Sequence, residues 1–413
     1  MDRRLWIATA VLCSPMVRFA DAADAQRASV GVAVPLSAPA PLAQLHVDRQ
    51  GRLLAVSRAG DLLEARTNVW KALGAGLDPA APIASGHGRV VGRSANGGVW
   101  VLESGRVQVL DTPRLAPRAG MLVLAFGIIA VAAERAGTHR VVRLDPAGGA
   151  WAESARFAEP VLPDARPMQF DPAGAALGPQ ADDDGHVLVF GAPSDTRYRH
   201  GVLGDAVEPA ALILLERHGL RVLARIDLPP PHVFEDIAPR PIAWRGARGL
   251  LTVRSGPQGA QLCVVALAAS QDRFELAAVA EPIGTAHRWL SPSTDGRRLL
   301  AVHTPHIGGV LHRHELQDGR LHSQVIGRGI SNHAIGQRDL DVSAWVGSSW
   351  VVPTQDRRRL QIIDADEQSP ATVAPSTEVA APIARLVPWH RGRRSGVAAL
   401  LADGSLWWVP VQD

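Results

Sequence analysis

Apolar residues in this chain come in short runs broken by polar turns, and almost nowhere at the spacing of an amphipathic helix. Gln44-Leu45-His46-Val47-Asp48-Arg49-Gln50-Gly51-Arg52-Leu53-Leu54-Ala55-Val56 reads as strand, polar turn, strand. The same turn and second strand return in Asp182-Asp183-Asp184-Gly185-His186-Val187-Leu188-Val189-Phe190 and in Thr294-Asp295-Gly296-Arg297-Arg298-Leu299-Leu300-Ala301-Val302. A second marker is a Trp closing the first strand of a unit: Trp244, Trp345 and Trp389 each precede a short turn and then an apolar run. Aligned on these markers, repeat units begin near residues 41, 83, 120, 168, 241, 289, 341 and 383.

Each unit has room for four short strands, here lettered A to D. The last unit holds only three, while the strand-like segment 30–36 near the start of the chain is unassigned. A ring closed by that N-terminal strand accounts for both facts and removes exposed sheet edges. The pattern therefore predicts an all-β fold, a β-propeller of seven or eight four-stranded blades, with eight favoured by the count of units. A solenoid is the competing architecture and leaves the short last unit unexplained. The fourth unit is stretched by an insert at about 194–209.

Composition agrees with many short strands: 39 Gly and 31 Pro in 413 residues supply turns, and 46% apolar residues supply a core. Basic residues are nearly all Arg, with Lys71 the one lysine, and the formal charge is only +3. No basic run is interleaved with aromatics, which points away from nucleic acid. The N-terminus carries Arg3-Arg4, an apolar run, then Ala20-Asp21-Ala22 and Ala23-Asp24-Ala25. This is the pattern of a signal peptide over 1–25, followed by one propeller domain over 26–413. The expected location is exported, periplasmic or secreted, as a monomer. Cleavage would leave Cys263 as the one cysteine, read as a buried apolar residue. The apolar run 121–133 contains Gly127 and is too short to span a bilayer, so it reads as strand, turn, strand and no membrane span is expected in the mature chain.

The second half, about 167–364, resembles bacterial exported VCBS/FG-GAP-repeat proteins, whose fold is like the integrin-α N-terminal propeller. The stretches that carry the resemblance are Tyr198-Arg199-His200-Gly201-Val202-Leu203-Gly204-Asp205, Val233-Phe234-Glu235-Asp236-Ile237-Ala238-Pro239-Arg240, Thr304-Pro305-His306-Ile307-Gly308-Gly309 and Ser331-Asn332-His333-Ala334-Ile335-Gly336. The resemblance implies a propeller and little about function. FG-GAP repeats usually hold Ca²⁺ in a carboxylate-rich A–B loop. Here the corresponding turns are Trp244-Arg245-Gly246-Ala247-Arg248, Ser293-Thr294-Asp295-Gly296-Arg297 and Trp345-Val346-Gly347-Ser348-Ser349, which lack the oxygen ligands. Asp182, Asp183 and Asp184 form the one remaining turn with enough carboxylates for Ca²⁺; as a plain solvated turn they need no ion.

Strand phase places the polar stretches. In a four-stranded blade the D–A and B–C loops open on one face and the A–B and C–D loops on the other. Loops 198–208, 232–236, 304–309, 331–339 and 354–358 all fall on the first face, in units four to seven. Loops held by a rigid scaffold are where binding residues concentrate. The candidate residues are Tyr198, Arg199, His200, Asp205, Glu235, Asp236, His306, Asn332, His333, Arg338 and Asp339. One reading has them bracing long loops. A second has them binding a polar small molecule, glycan or protein partner without catalysis. A third is a metal-dependent hydrolase or lyase, with His200, His306 and His333 joined by Asp205 or Asp236 on Zn²⁺ or Mn²⁺ and a free Glu235 as base. No HExxH, nucleophile elbow or P-loop supports catalysis. His303, His312, His314 and His322 also cluster in sequence, and strand alternation is expected to scatter them over both faces of a blade.

Overall fold

The computed structural model describes residues 29–66, 69–174, 185–364 and 378–412. The segment 1–25 and the Asp182–184 turn lie outside the described residues. Antiparallel sheets follow one another along the chain as an eight-bladed β-propeller. Their first strands are Leu42–Val47, Ala84–Gly86, Leu122–Leu124, Met168–Phe170, Arg240–Trp244, Leu290–Thr294, Ala344–Val346 and Ile383–Pro388. The units read from the sequence start within three residues of each.

Hydrophobic runs become middle strands because each blade packs face to face against two neighbours. Leu53–Ser57 in blade 1 and Glu208–Leu215 in blade 4 are buried along their whole length, as a strand covered on both faces must be. Outer strands such as Arg106–Leu110 alternate or stay exposed. The one-methylene tolerance of such a packed interior is small, so blade angle is set by these interdigitated side chains.

Closure follows the expected design. Leu406–Gln412, the third strand of blade 8, pairs antiparallel with Ser29–Val30 and with Val34–Leu36. The register sets Ser29 opposite Gln412 and Val34 opposite Trp408. Ala33 joins the apolar cluster of blades 7 and 8, and the half-buried Trp407 packs against that cluster. Blade 1 is locked to blade 8 by Leu42, Leu45 and Leu53 against Val387, Ala398 and Trp408.

Two blades depart from the plain pattern. In blade 5 the first strand is split: Val233–Phe234 and Arg240–Trp244 both pair with Ala247–Gly256, with residues 235–239 looping out between them. Blade 7 shows three strands among the described residues. Among the described residues helix is limited to two single 3₁₀ turns, Arg135–Gly137 and Gly201–Leu203, and none is long and apolar enough to cross a membrane.

The run 121–133 is strand, turn, strand, as Leu122–Leu124 and Gly127–Ala133. Cys263 is buried in Gly259–Leu267. The expectation for the blade 6 histidines holds for one of the four. His303, His312 and His314 lie on one face, the first two rings stacked 3.7 Å apart. His312 and His314 are two residues apart in one strand, so the pleat points them the same way, and His303 is on the strand beside them. His322 pairs opposite Glu315, which follows His314 and points to the other face, and so His322 faces the other side.

Candidate functional site

Blade 4 supplies the insert between its paired strands His186–Ser194 and Glu208–Leu215. The insert folds around the 3₁₀ turn Gly201–Leu203, whose Val202 and Leu203 are buried as anchors. It reaches the loop 331–339 between blades 6 and 7. The Gly336 amide donates to the Val202 carbonyl at 2.9 Å, and the Arg338 guanidinium pairs with Asp205 and, at 2.5 Å, with Asp164. Gly204 makes this approach feasible. Its φ is +101°, and a Cβ there would lie 2.3 Å from Arg338 Nη1 and 2.7 Å from the Gly336 carbonyl oxygen.

Beside this bridge stands a polar core. Glu235 is wholly buried, with Oε1 2.5 Å from His200 Nδ1 and Oε2 accepting from Ser255 Oγ at 2.5 Å. Burial pushes its pKa up, while the His200 and Ser255 contacts pull the other way. The Trp289 indole donates to the Glu235 carbonyl at 3.0 Å. The same indole ring stacks nearly parallel to His306 and packs 4.6 Å from His333. His306 Nε2 and His333 Nδ1 are 2.8 Å apart, and His333 Nε2 is 2.9 Å from the Gln337 carbonyl oxygen, so the latter nitrogen carries the proton. Desolvation holds His306 down at about 4 and His333 at about 3. Tyr198 is buried, and its hydroxyl oxygen accepts from the His287 amide at 2.6 Å. Burial, helped by the Glu235 charge, raises its phenol to about 12.

The remaining candidates other than Arg199 are also engaged. One Asp236 oxygen accepts from the Ile237 and Ala238 amides, and the other takes Arg240 and Thr252 Oγ1, both at 2.8 Å. This carboxylate holds the loop that splits the first strand of blade 5. Asn332 is fully buried and donates to Asp341 Oδ1 at 3.0 Å; burial raises the pKa of that aspartate. Asp339 pairs with Arg385 of blade 8 at 2.5 Å. Arg199 is exposed at the surface of the insert.

The structure therefore brings His200 together with Glu235, His306 with His333, and Asp205 with Arg338, and links the first two pairs through Trp289. It does not bring His200, His306 and His333 onto one point. Among the described residues no three His, Cys, Asp or Glu side chains are grouped as a metal would need. Glu235 is not free to act as a base, because both oxygens are held. The Asp295 turn of blade 6 is likewise occupied: its carboxylate takes the Arg297 and Arg298 amides and the Arg298 side chain.

Sequence reasoning missed Trp289, Ser255, Asp164 and Asp341. Trp289 had a visible signal, since it stands at the start of the sixth unit where loop 281–289 enters the first strand. What stays open to solvent on this face is apolar as well as polar: Ile307 is 64% and Ile335 69% exposed, each at the tip of one of the His-bearing loops.

No protein-family model matches the chain, and no curated protein matches its sequence. Solved structures do. BamB from Moraxella catarrhalis is 12% identical, with 93% of this chain and 97% of that one aligned at a TM-score of 0.55. Saccharomyces cerevisiae Sqt1 is 9% identical over 93% and 99% of the two chains, with a TM-score of 0.58. The computationally designed Ika8 protein is 10% identical over 91% and 98%, with a TM-score of 0.54. At these identities the likeness is one of fold.

Proposed function

We propose that this chain is an exported, non-catalytic propeller of the VCBS/FG-GAP kind that docks a protein partner on the B–C/D–A loop face of blades 4–7. One observation carries the reading. All the candidate side chains on that face except Arg199 are held by contacts within the protein, and the rigid platform they make lifts Ile307 and Ile335 into solvent. A large aliphatic side chain fixed at a loop tip is an anchor that loses little entropy on binding. Arg199 and the outer edge of His200 supply a polar rim beside them. A propeller fold shared with unrelated chains supports a scaffold and does not by itself choose a partner.

The test compares the two ends of the ring. A photo-crosslinking residue is placed at Ile335 and, separately, at Phe126, which is 78% exposed in an A–B turn on the opposite face. Irradiation in the native host should give a discrete heavier adduct from position 335 and none from 126. Equal labelling at both positions, or none at either, overturns the reading. Sequencing the N-terminus of the recovered protein checks export: a start near residue 26 is expected.

A further inference from the structure

The D–A connections and first strands enclose a cavity of about 320 Å³ at the mouth of the central channel. Four arginines from separate parts of the ring line it: Arg118 before blade 3, Arg166 before blade 4, Arg338 before blade 7 and Arg385 in the first strand of blade 8. Three carboxylates, Asp164, Asp205 and Asp339, contact two of these arginines, so four cations face three anions. Donors are left over. Arg166 Nε, Arg338 Nη1 and Arg385 Nε are all buried with no hydrogen-bond acceptor among the described residues. Leaving a buried donor without an acceptor is unfavourable, and more so when the donor is charged. All three sit on arginines that line one cavity, where cations outnumber their carboxylate partners. The surroundings feel the excess: burial, then Arg385, holds His46 down at about 4 farther along the first strand of blade 1.

We propose that this cavity binds a small anion through a carboxylate or phosphate group, gripped by Arg118, Arg166, Arg338 and Arg385. Arginine suits the task because its planar fork presents paired N–H groups to the two or three oxygens of such a group. The volume fits a ligand of a few heavy atoms up to the size of a small polycarboxylate and excludes a folded chain. The rim is braced independently of any ligand, since Arg338 is held by Asp164 and Asp205 and Gln44 Nε2 ties blade 1 to the Pro79 carbonyl at 2.7 Å. The site is thus preorganised, and it stands whether or not the neighbouring face docks a protein.

Arg118 is the residue to change, because it is exposed and makes no hydrogen bond or ion pair among the described residues. Melting of the full chain is followed while inorganic phosphate or citrate is titrated against sodium chloride of equal ionic strength. Wild type and Arg106→Gln, which alters an exposed outer strand of blade 2, should show the same saturable rise in Tm. Arg118→Gln should melt like wild type without anion and bind about tenfold more weakly, the loss of one charge-assisted contact. A response to one anion alone identifies its head group. No saturable rise with either anion, or equal affinity in Arg118→Gln and Arg106→Gln, overturns the proposal.

Discussion

His333 shows how a polar side chain in this face becomes structural. It is 1% exposed, its two nitrogens are engaged by His306 and the Gln337 carbonyl, and its pKa falls to about 3 against an ordinary 6.5. A histidine held neutral in the folded state takes its proton only in the unfolded chain as pH drops below 6.5. Its stabilising share is therefore full above that pH and is lost on acidification, by about 2 kcal/mol at pH 5. Glu208, Glu235 and Asp341 are raised by burial and run in the opposite sense, so the comparison must be with a variant. Urea unfolding of wild type and His333→Asn at pH 7.5 and 5 should show a smaller acid-induced loss in the variant. An identical loss would mean that this imidazole does not titrate as its burial dictates. At this scale the sequence was half legible. The residue types and the shared face could be read from strand phase, but the pairings could not. Which of several donors Asp205 or Glu235 meets depends on angles of loops that only the closed ring sets.

Among elements, the blade 4 insert and the 331–339 loop form one unit through Gly336, Val202, Arg338 and Asp205. Gly204→Ala puts a methyl group against Arg338 and the Gly336 carbonyl at a φ that alanine avoids, and should cost about 1–3 kcal/mol. Hydrogen exchange is the sharper measurement: the Gly336 amide should lose protection while the amides of blade 2 keep theirs. Equal protection at Gly336 in both proteins would show that the contact tolerates the methyl group. Strand positions were legible because a blade repeats its two buried middle strands at near-constant spacing. The split first strand of blade 5 was not, since it arises from Asp236 capping two consecutive amides and bending the chain away. Of the channel arginines only Arg338 was singled out; Arg118, Arg166 and Arg385 were passed over, though a signal existed for the first two. Arg118 and Arg166 each stand two residues before their unit begins, and Arg338 three before its own, so one column of the repeat alignment held them.

For the whole ring, closure by the N-terminal strands is the feature on which the others rest. Deleting residues 29–36 would bare the edge of Leu406–Gln412, with Trp407 and Trp408 on it. We expect a melt lower by about 5–10 °C and, in sedimentation velocity, association that grows with concentration as the free edge seeks another strand. A truncated protein that melts and sediments like the intact one would assign the two strands a decorative place. The ring architecture was the most legible property, because it follows from the count of units and the missing last strand and requires no side-chain geometry. The register of the closure has one further consequence. Ser29 and Gln412 are partners across the same ladder, so the two ends of the described chain meet in space. Topologically the propeller is a circle that happens to be cut within blade 8. A peptide joining those ends, with a new opening at the exposed Gly148-Gly149 turn of blade 3, would move the cut elsewhere and leave every blade's neighbours unchanged.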